Sequence, residues 1–186
     1  MEQKLEIEFK SKIDHEGHLL IRDYFPFGTP KLQENVYYDT KDRKFYEKGV
    51  MCRVRKIEDT YLLTLKEPHP DGIMEYEINL TGPLHSDPRS QEALDVFNVK
   101  MEDLEEIAFS NTVRYEHEDV YGTWCLDITQ FKNHKDYEIE YELYHEEKAA
   151  QKHYMQTLKS IGIEYEPIEP KFVRALYSKA QVDDAS

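Results

Sequence analysis

Glycine is scarce, with seven in 186 residues. None of them builds a Walker-type phosphate loop or a Gly-rich dinucleotide turn. A phosphate-bearing ligand would therefore have to be held by side-chain cations, chiefly bidentate arginine, rather than by backbone amides. Cysteine is scarcer still. Cys52 and Cys125 are too few for a disulfide scaffold or a Cys-rich zinc site. The eight histidines include no HExxH pair, and no Gly-x-Ser-x-Gly elbow is present. No apolar run approaches the roughly 20 residues of a membrane span. The start, Met-Glu-Gln-Lys-Leu-Glu, has no apolar segment of the kind a signal peptide needs. Basic residues are the minority, 24 against 38 acidic, for a net charge of -14. That disfavours a duplex nucleic-acid partner, which needs a basic face to displace counterions, and docking on anionic membranes. The expectation is a cytoplasmic protein with two buried structural thiols.

What is present is aromatic content, 12%, and period-2 alternation. The length suits one domain with a real core, expected over residues 1–180 with a frayed tail at 181–186. Alternating runs predict strands over 5–10, 35–38, 51–56, 61–66, 72–80, 110–117, 123–129 and 137–143. Short turns between them argue for antiparallel sheet. Helices are predicted over 15–25, from Asp39 or Thr40 to a stop at Gly49, over 88–97 after an Asp87 cap, over 102–109, over 146–161 before Gly162, and after Pro170. His15 and His18 read as exposed helix positions, and the fourteen tyrosines as packing.

Each strand sorts by parity into an apolar and an ionisable face. Leu5, Ile7 and Phe9 oppose Glu6, Glu8 and Lys10; Cys52 and Val54 oppose Arg53 and Arg55; Leu63 and Leu65 oppose Thr64 and Lys66. Tyr76 and Ile78 oppose Glu75 and Glu77; Trp124, Leu126 and Ile128 oppose Asp127; Ile139 and Tyr141 oppose Glu138 and Glu140. A sheet with one wet face gives the same alternation. The residue choice differs, however. Asp and Glu are poor strand formers, and here carboxylates and cations are segregated by strand, with like charges two apart. If the sheet curls so that these faces point inward, the carboxylates suit a hard divalent cation, Mg²⁺ or Mn²⁺. The Lys/Arg strands suit an anion.

These motifs together resemble the CYTH superfamily, the triphosphate tunnel metalloenzymes, across most of the chain. Glu6-Ile7-Glu8-Phe9-Lys10 is similar to its ExExK signature, and Tyr37-Tyr38-Asp39-Thr40 to its YYDT segment. Arg53-Val54-Arg55 resembles its RxR strand, Thr64-Leu65-Lys66 its TxK strand, and Glu75-Tyr76-Glu77 the ExE that follows. Leu126-Asp127 and Glu138-Ile139-Glu140 resemble its later acidic strands. Two positions depart from it. Thr112 stands where many relatives carry Lys, and Lys171-Phe172-Val173 stands in place of a Lys-Ser-Tyr-like segment.

The resemblance implies a mainly β (α+β) fold: a closed antiparallel barrel of about eight strands forming a tunnel, with helices packed outside. It implies a divalent-metal-dependent triphosphatase, acting on inorganic triphosphate, thiamine triphosphate or a nucleoside triphosphate. A class IV adenylate cyclase and a non-catalytic polyphosphate sensor are the alternatives. Glu6, Glu8, Asp127, Glu138 and Glu140 would hold metal. Lys10, Arg53, Arg55, Lys66, Arg114 and Lys171 would grip phosphates, with Glu75 and Glu77 in support. Glu6, Glu8, Lys10, Arg53, Arg55 and Lys66 would carry the catalysis. The partner is a small-molecule triphosphate, and the assembly a monomer or homodimer.

Overall fold

A computed structural model of the chain describes residues 1–185, with side chains through Ser178. Nine strands form one antiparallel sheet: β1 (Glu2–Glu6), β2 (Glu8–Ile13), β3 (Lys31–Thr40), β4 (Met51–Ile57), β5 (Thr60–His69), β6 (Gly72–Leu80), β7 (Leu104–Glu118), β8 (Gly122–Gln130) and β9 (Lys135–Leu143). Five helices accompany them: α1 (His15–Tyr24), α2 (Lys44–Glu47), α3 (Ser90–Asp95), α4 (Ala150–Ile161) and α5 (Lys171–Ala185). The tail expectation for 181–186 concerns side chains, and a last residue, outside the described ones; the backbone of 181–185 continues α5.

The strand order is β1-β6-β5-β4-β3-β7-β8-β9-β2. The two edge strands are therefore consecutive in sequence, and Ile7 alone joins them. The sheet is strongly curled, and the chain itself bridges its edges. β1 and β2 are two halves of the single strand expected over 5–10, so nine assigned strands correspond to about eight staves. Glu6 pairs with Ile73 of β6, while Glu8 pairs with Glu142 of β9. The Leu143 amide donates to the Ile7 carbonyl at 2.9 Å, fixing the crossover.

The apolar parity faces outward and builds the core against the helices. Cys52, Val54, Leu63, Leu65, Tyr76 and Ile78 pack with Phe45 of α2 and Ala93 and Leu94 of α3. Trp124, Leu126, Ile139 and Tyr141 pack with Ile21 of α1 and Tyr154 and Leu158 of α4. Truncating one of these fully buried leucines costs about 2–5 kcal/mol. α5 seats Phe172, Ala175 and Leu176 on Tyr37, Met51, Ile107 and Phe131. Local signals set the helix ends. The Asp14 carboxylate accepts from the Gly17 amide at 2.7 Å to cap α1. Asp39 accepts from the Phe45 and Tyr46 amides to start α2. Gly162, at φ 91°, ends α4 in the left-handed conformation.

Two expectations are corrected. Residues 102–109 are not a helix: after a single 3₁₀ turn they open β7, which pairs with β3 as far as Leu104 opposite Thr40. The register shifts there, with Tyr37 opposite Ala108 but Tyr38 opposite Glu106. Ile107 is thus the extra residue of a β-bulge. The bulge turns Leu104 and Ile107 towards different clusters, and it is this that makes the apolar spacing look helical. His18 is not exposed. It is buried, its rings neighbours are Tyr115 and Tyr137, and burial pushes it down to about 4.

Candidate functional site

The ionisable parity faces the concave side of the sheet. There the structure brings together the residues singled out from the sequence, with Glu77 joined through Thr64, whose hydroxyl donates to Glu77 and accepts from Arg53, each at 3.3 Å. Six carboxylates form two groups of three. Glu6, Glu8 and Glu142 place one oxygen each within 4.8 Å of one another, and so do Asp127, Glu138 and Glu140. The first group gathers at the β1–β2 crossover. The second spans the paired strands β8 and β9, where Asp127 lies opposite Glu138.

Cations are threaded between these groups. Arg114, 6% exposed, grips Asp127 with two parallel hydrogen bonds, Nε to Oδ1 at 2.8 Å and Nη2 to Oδ2 at 2.7 Å. It also donates to Glu140 at 2.7 Å and Glu142 at 2.9 Å, so it links the two carboxylate groups. Lys171 of α5 reaches Asp127 at 2.7 Å, Glu140 at 2.6 Å, and Glu138. Lys66 joins Glu6 at 2.6 Å to Glu75 at 2.8 Å. Lys10 lies 3.3 Å from Glu8. These pairings are what charges held out of water require of one another.

Arg53 and Arg55 break the pattern. Arg53 is 8% exposed, yet it donates only to the Thr64 hydroxyl at 3.3 Å, and its Nε has no partner among the described residues. Arg55 Nε donates to the Asn35 side-chain oxygen at 2.9 Å. Neither makes an ion pair with a carboxylate among the described residues. Burial pushes Arg55 down from 12.5 to about 9, and the neighbouring charges of Arg53 and Arg114 push the same way. Two guanidiniums on one strand thus share an excess of positive charge.

The carboxylates respond to burial and neighbours in opposite directions. Burial raises Glu6 to about 7, although Lys66 opposes it. Burial also raises Glu8, helped by the Glu140 charge. Glu138 is pushed by burial up to about 8, while its neighbour Glu140, despite equal burial, is held well below the usual range by Lys171 and Arg114. Burial of Glu75 is overcome by Lys66, which holds it at about 2.

Three residues escaped the sequence reading. Glu142 continues the Glu138-x-Glu140 parity by one more step, a signal that was present. Arg174, one helical turn beyond Lys171, pairs with Asp136 at 2.6 Å and with Glu138. Asn35, which orients Arg55, carries no such signal. Thr112 lies on the inner parity, where its hydroxyl meets that of Thr129 at 2.9 Å. Cys125 neighbours Arg114 and Glu142 on this face, whereas Cys52 lies in the outer core; both are free thiols.

The comparison with known proteins agrees with this arrangement. The CYTH domain profile matches residues 4–173. The chain belongs to the CYTH family. It is 28% identical over 184 residues to YjbK of Bacillus subtilis (strain 168), a protein provisionally named a triphosphatase, with 94% of this chain and 95% of that one covered. A Bacillus halodurans crystal structure, provisionally named an adenylate cyclase, superposes with a TM-score of 0.82 at 30% identity, covering 94% of this chain and 98% of that one. The Hippeastrum protein HpAC1 shares the fold, with a TM-score of 0.78 at 22% identity over 94% and 96% of the two chains. No helix among the described residues is long and apolar enough to cross a membrane.

Proposed function

We propose that this CYTH chain is a divalent-metal-dependent triphosphatase, with the concave face as its active site. One observation carries the reading: Arg53 and Arg55 are inward-facing guanidiniums left without carboxylates, directly beside two carboxylate groups. A seat for an anion and seats for cations share one cavity. The triphosphatase name of the Bacillus subtilis relative supports the same chemistry.

All-oxygen donor sets of this kind fit a hard divalent cation such as Mg²⁺ or Mn²⁺. Glu6, Glu8 and Glu142 would hold one ion and Asp127, Glu138 and Glu140 another. When bound, such an ion offsets charge on the phosphate oxygens and lowers the pKa of a bound water. The chain's own residues do the rest. Arg53 and Arg55 take non-bridging phosphate oxygens in bidentate fashion. Lys66, Arg114 and Lys171 lie on carboxylates whose charge a bound cation would offset, and they would then be available to the remaining phosphates, with Lys10 completing the wall. Positioning and electrostatics are the main terms in phosphoryl transfer. In the reaction a water oxygen bonds the terminal phosphorus, the bond from that phosphorus to its bridging oxygen breaks, and orthophosphate leaves with the proton passed to solvent.

The adenylate cyclase name of the Bacillus halodurans relative favours a second reading, in which a ribose hydroxyl attacks instead of water. Initial rates with tripolyphosphate, thiamine triphosphate and ATP, with Mg²⁺ or Mn²⁺, separate the readings. Orthophosphate release is the expected result. Cyclic AMP with pyrophosphate would establish the cyclase, and tight binding without product would establish a sensor.

A further inference from the structure

The sheet has two outer rims, and the structure treats them differently. β2 pairs with β9 along one side only, and its other rim is covered by the segment leading from α4 to α5. There the Glu166 carbonyl accepts from the Lys12 amide at 2.8 Å, and the Glu166 amide donates to the Ser11 hydroxyl at 2.9 Å. β1 pairs with β6 alone. Among the described residues no other segment hydrogen-bonds the backbone of 2–5, and residues 1–5 are all exposed. An open rim of this kind is a template for another strand, and folds normally blunt it or cover it.

The sequence of this rim is complementary to itself. Laid antiparallel on a second copy, with Gln3 on the two-fold axis, Glu2 stands opposite the second copy's Lys4, and Lys4 opposite its Glu2. Met1 and Leu5, 51% and 37% exposed, stand opposite each other in the same way. Neighbouring strand residues point to opposite faces, so the charged pairs share one face and the apolar pairs the other. Unlike charges and apolar side chains set directly opposite each other both stabilise antiparallel strands. Within one chain the charges of this rim are unbalanced. Glu2 lies opposite Glu77 in the register with β6, a like-charge pair. Lys4 pairs with Glu75 rather than Glu2, at 3.4 Å, and its side chain stays 54% exposed. An ammonium has three donors, so Lys4 can take a second carboxylate. Across the two-fold axis the row reads Glu77, Glu2, then the second copy's Lys4 and Glu75, and a cation now stands beside Glu2.

We propose that β1 is a self-association edge: two copies of this chain pair β1 with β1, antiparallel about Gln3, in an isologous contact that joins their sheets. The inference stands independently of what the concave face does. A five-residue strand gives less than a standard interface, which places this dimer among weak associations. The net charge of -14 on each copy opposes approach, but at physiological salt it is screened beyond roughly 8 Å. Pairing at the rim therefore decides the outcome.

The test is sedimentation velocity on the untagged chain, from roughly 5 to 500 μM, the range a weak interface requires. The weight-average mass of the wild type should climb towards that of two chains. Glu2→Lys sets lysine against lysine across the two-fold axis, and Lys4→Glu sets glutamate against glutamate. Each should weaken association by about tenfold, since two unlike pairs become two like ones. Glu2→Lys also replaces the like-charge pair with Glu77 by an unlike one, so its Tm should not fall, and its lost association is not a lost fold. An equimolar mixture of the two variants should associate at least as strongly as the wild type, because every lysine then meets a glutamate. A wild type that stays monomeric across the range, self-association that neither substitution weakens, or a mixture no stronger than its separate components overturns the inference. Each of those results leaves the triphosphatase reading untouched.

Discussion

Arg55→Met should stabilise the free protein while destroying its affinity for polyphosphate. The guanidinium is half-buried and makes no ion pair with a carboxylate among the described residues; loss of hydration first, then the charges of Arg53 and Arg114, hold it down from 12.5 to about 9 against the opposing charge of Asp127. An arginine does not give up its proton under ordinary conditions, so the fold carries the cost as lost stability. At 1.36 kcal/mol per pKa unit, the fall from 12.5 to about 9 sets an upper limit on the order of 5 kcal/mol. Losing the hydrogen bond to Asn35 takes back about 1 kcal/mol, and imperfect methionine packing takes back about as much. A net gain of at most about 3 kcal/mol remains, or up to roughly 6–12 °C in Tm for a chain of this size. The sign with pH follows from the depressed value. The native state disfavours the charged form, so the penalty is fully present below about 9 and is relieved only as the pH rises towards 12.5. The Tm gain of Arg55→Met should therefore be flat from pH 6 to 8. Scanning fluorimetry with and without tripolyphosphate plus Mg²⁺ reads both effects. The wild type should gain about 2.7 kcal/mol at a hundredfold excess over Kd, and the variant little. A variant less stable than the wild type in the absence of ligand, or one that keeps the full ligand shift, would refute the reasoning.

Three further outcomes are expected. Glu8→Gln and Glu140→Gln should each fold and lose metal-dependent turnover by at least about a hundredfold, because an isosteric amide keeps the shape but not the charge that holds a cation; full activity in both would return the concave face to the role of a solvated surface. Lys66→Ala removes the ammonium that joins Glu6 to Glu75; breaking such a pair costs about 3–5 kcal/mol, and divalent cation should restore more of the lost Tm in this variant than it adds to the wild type. Burial raises Glu6 to about 7 and Glu138 to about 8, from an ordinary 4.5, so their contribution to stability is present below about 4.5 and is lost as the pH rises through 7 and 8; free-protein Tm should fall across that window while the increment from Mn²⁺ grows, and a Mn²⁺ increment independent of pH from 5 to 8 would count against these carboxylates as ligands.

The strand faces were legible because their period is 2 and survives any bend of the sheet. Arg53 with Arg55, Glu138 with Glu140, and Asp127 all lie on the face their parity assigns. What parity does not encode is interruption. The alternation from Leu5 to Lys10 runs unbroken through Ile7, yet Ile7 carries the chain from one sheet edge to the other. The extra residue at Ile107 imitates a helical spacing and hides the first third of β7. Burial of His18 was hidden for a related reason. Its partners Tyr115 and Tyr137 lie on β7 and β9, so only the tertiary fold brings them to α1. The cover over the β2 rim also depends on a remote segment, because Glu166 reaches Ser11 from beyond α4.

The two halves of the site solve a shared problem. On the proposed triphosphatase reading a strongly acidic chain has to admit a polyanion, and its long-range field opposes this, although at physiological salt that field is screened beyond roughly 8 Å. The local arrangement therefore decides. If the empty cavity were lined by cations alone, it would repel itself; if every cation were paired, no seat for phosphate would remain. The structure divides the work. Lys66, Arg114 and Lys171 are parked on carboxylates that a divalent ion can claim. Arg53 and Arg55 make no ion pair with a carboxylate among the described residues, and on the proposed reading they are the standing attraction for the first phosphate. On that reading cation and anion binding would be coupled by linkage: each ion claiming a carboxylate would free a basic side chain for phosphate, and each phosphate drawing off a basic side chain would expose a carboxylate to the ion. Neither ligand alone satisfies the cavity as fully as both together.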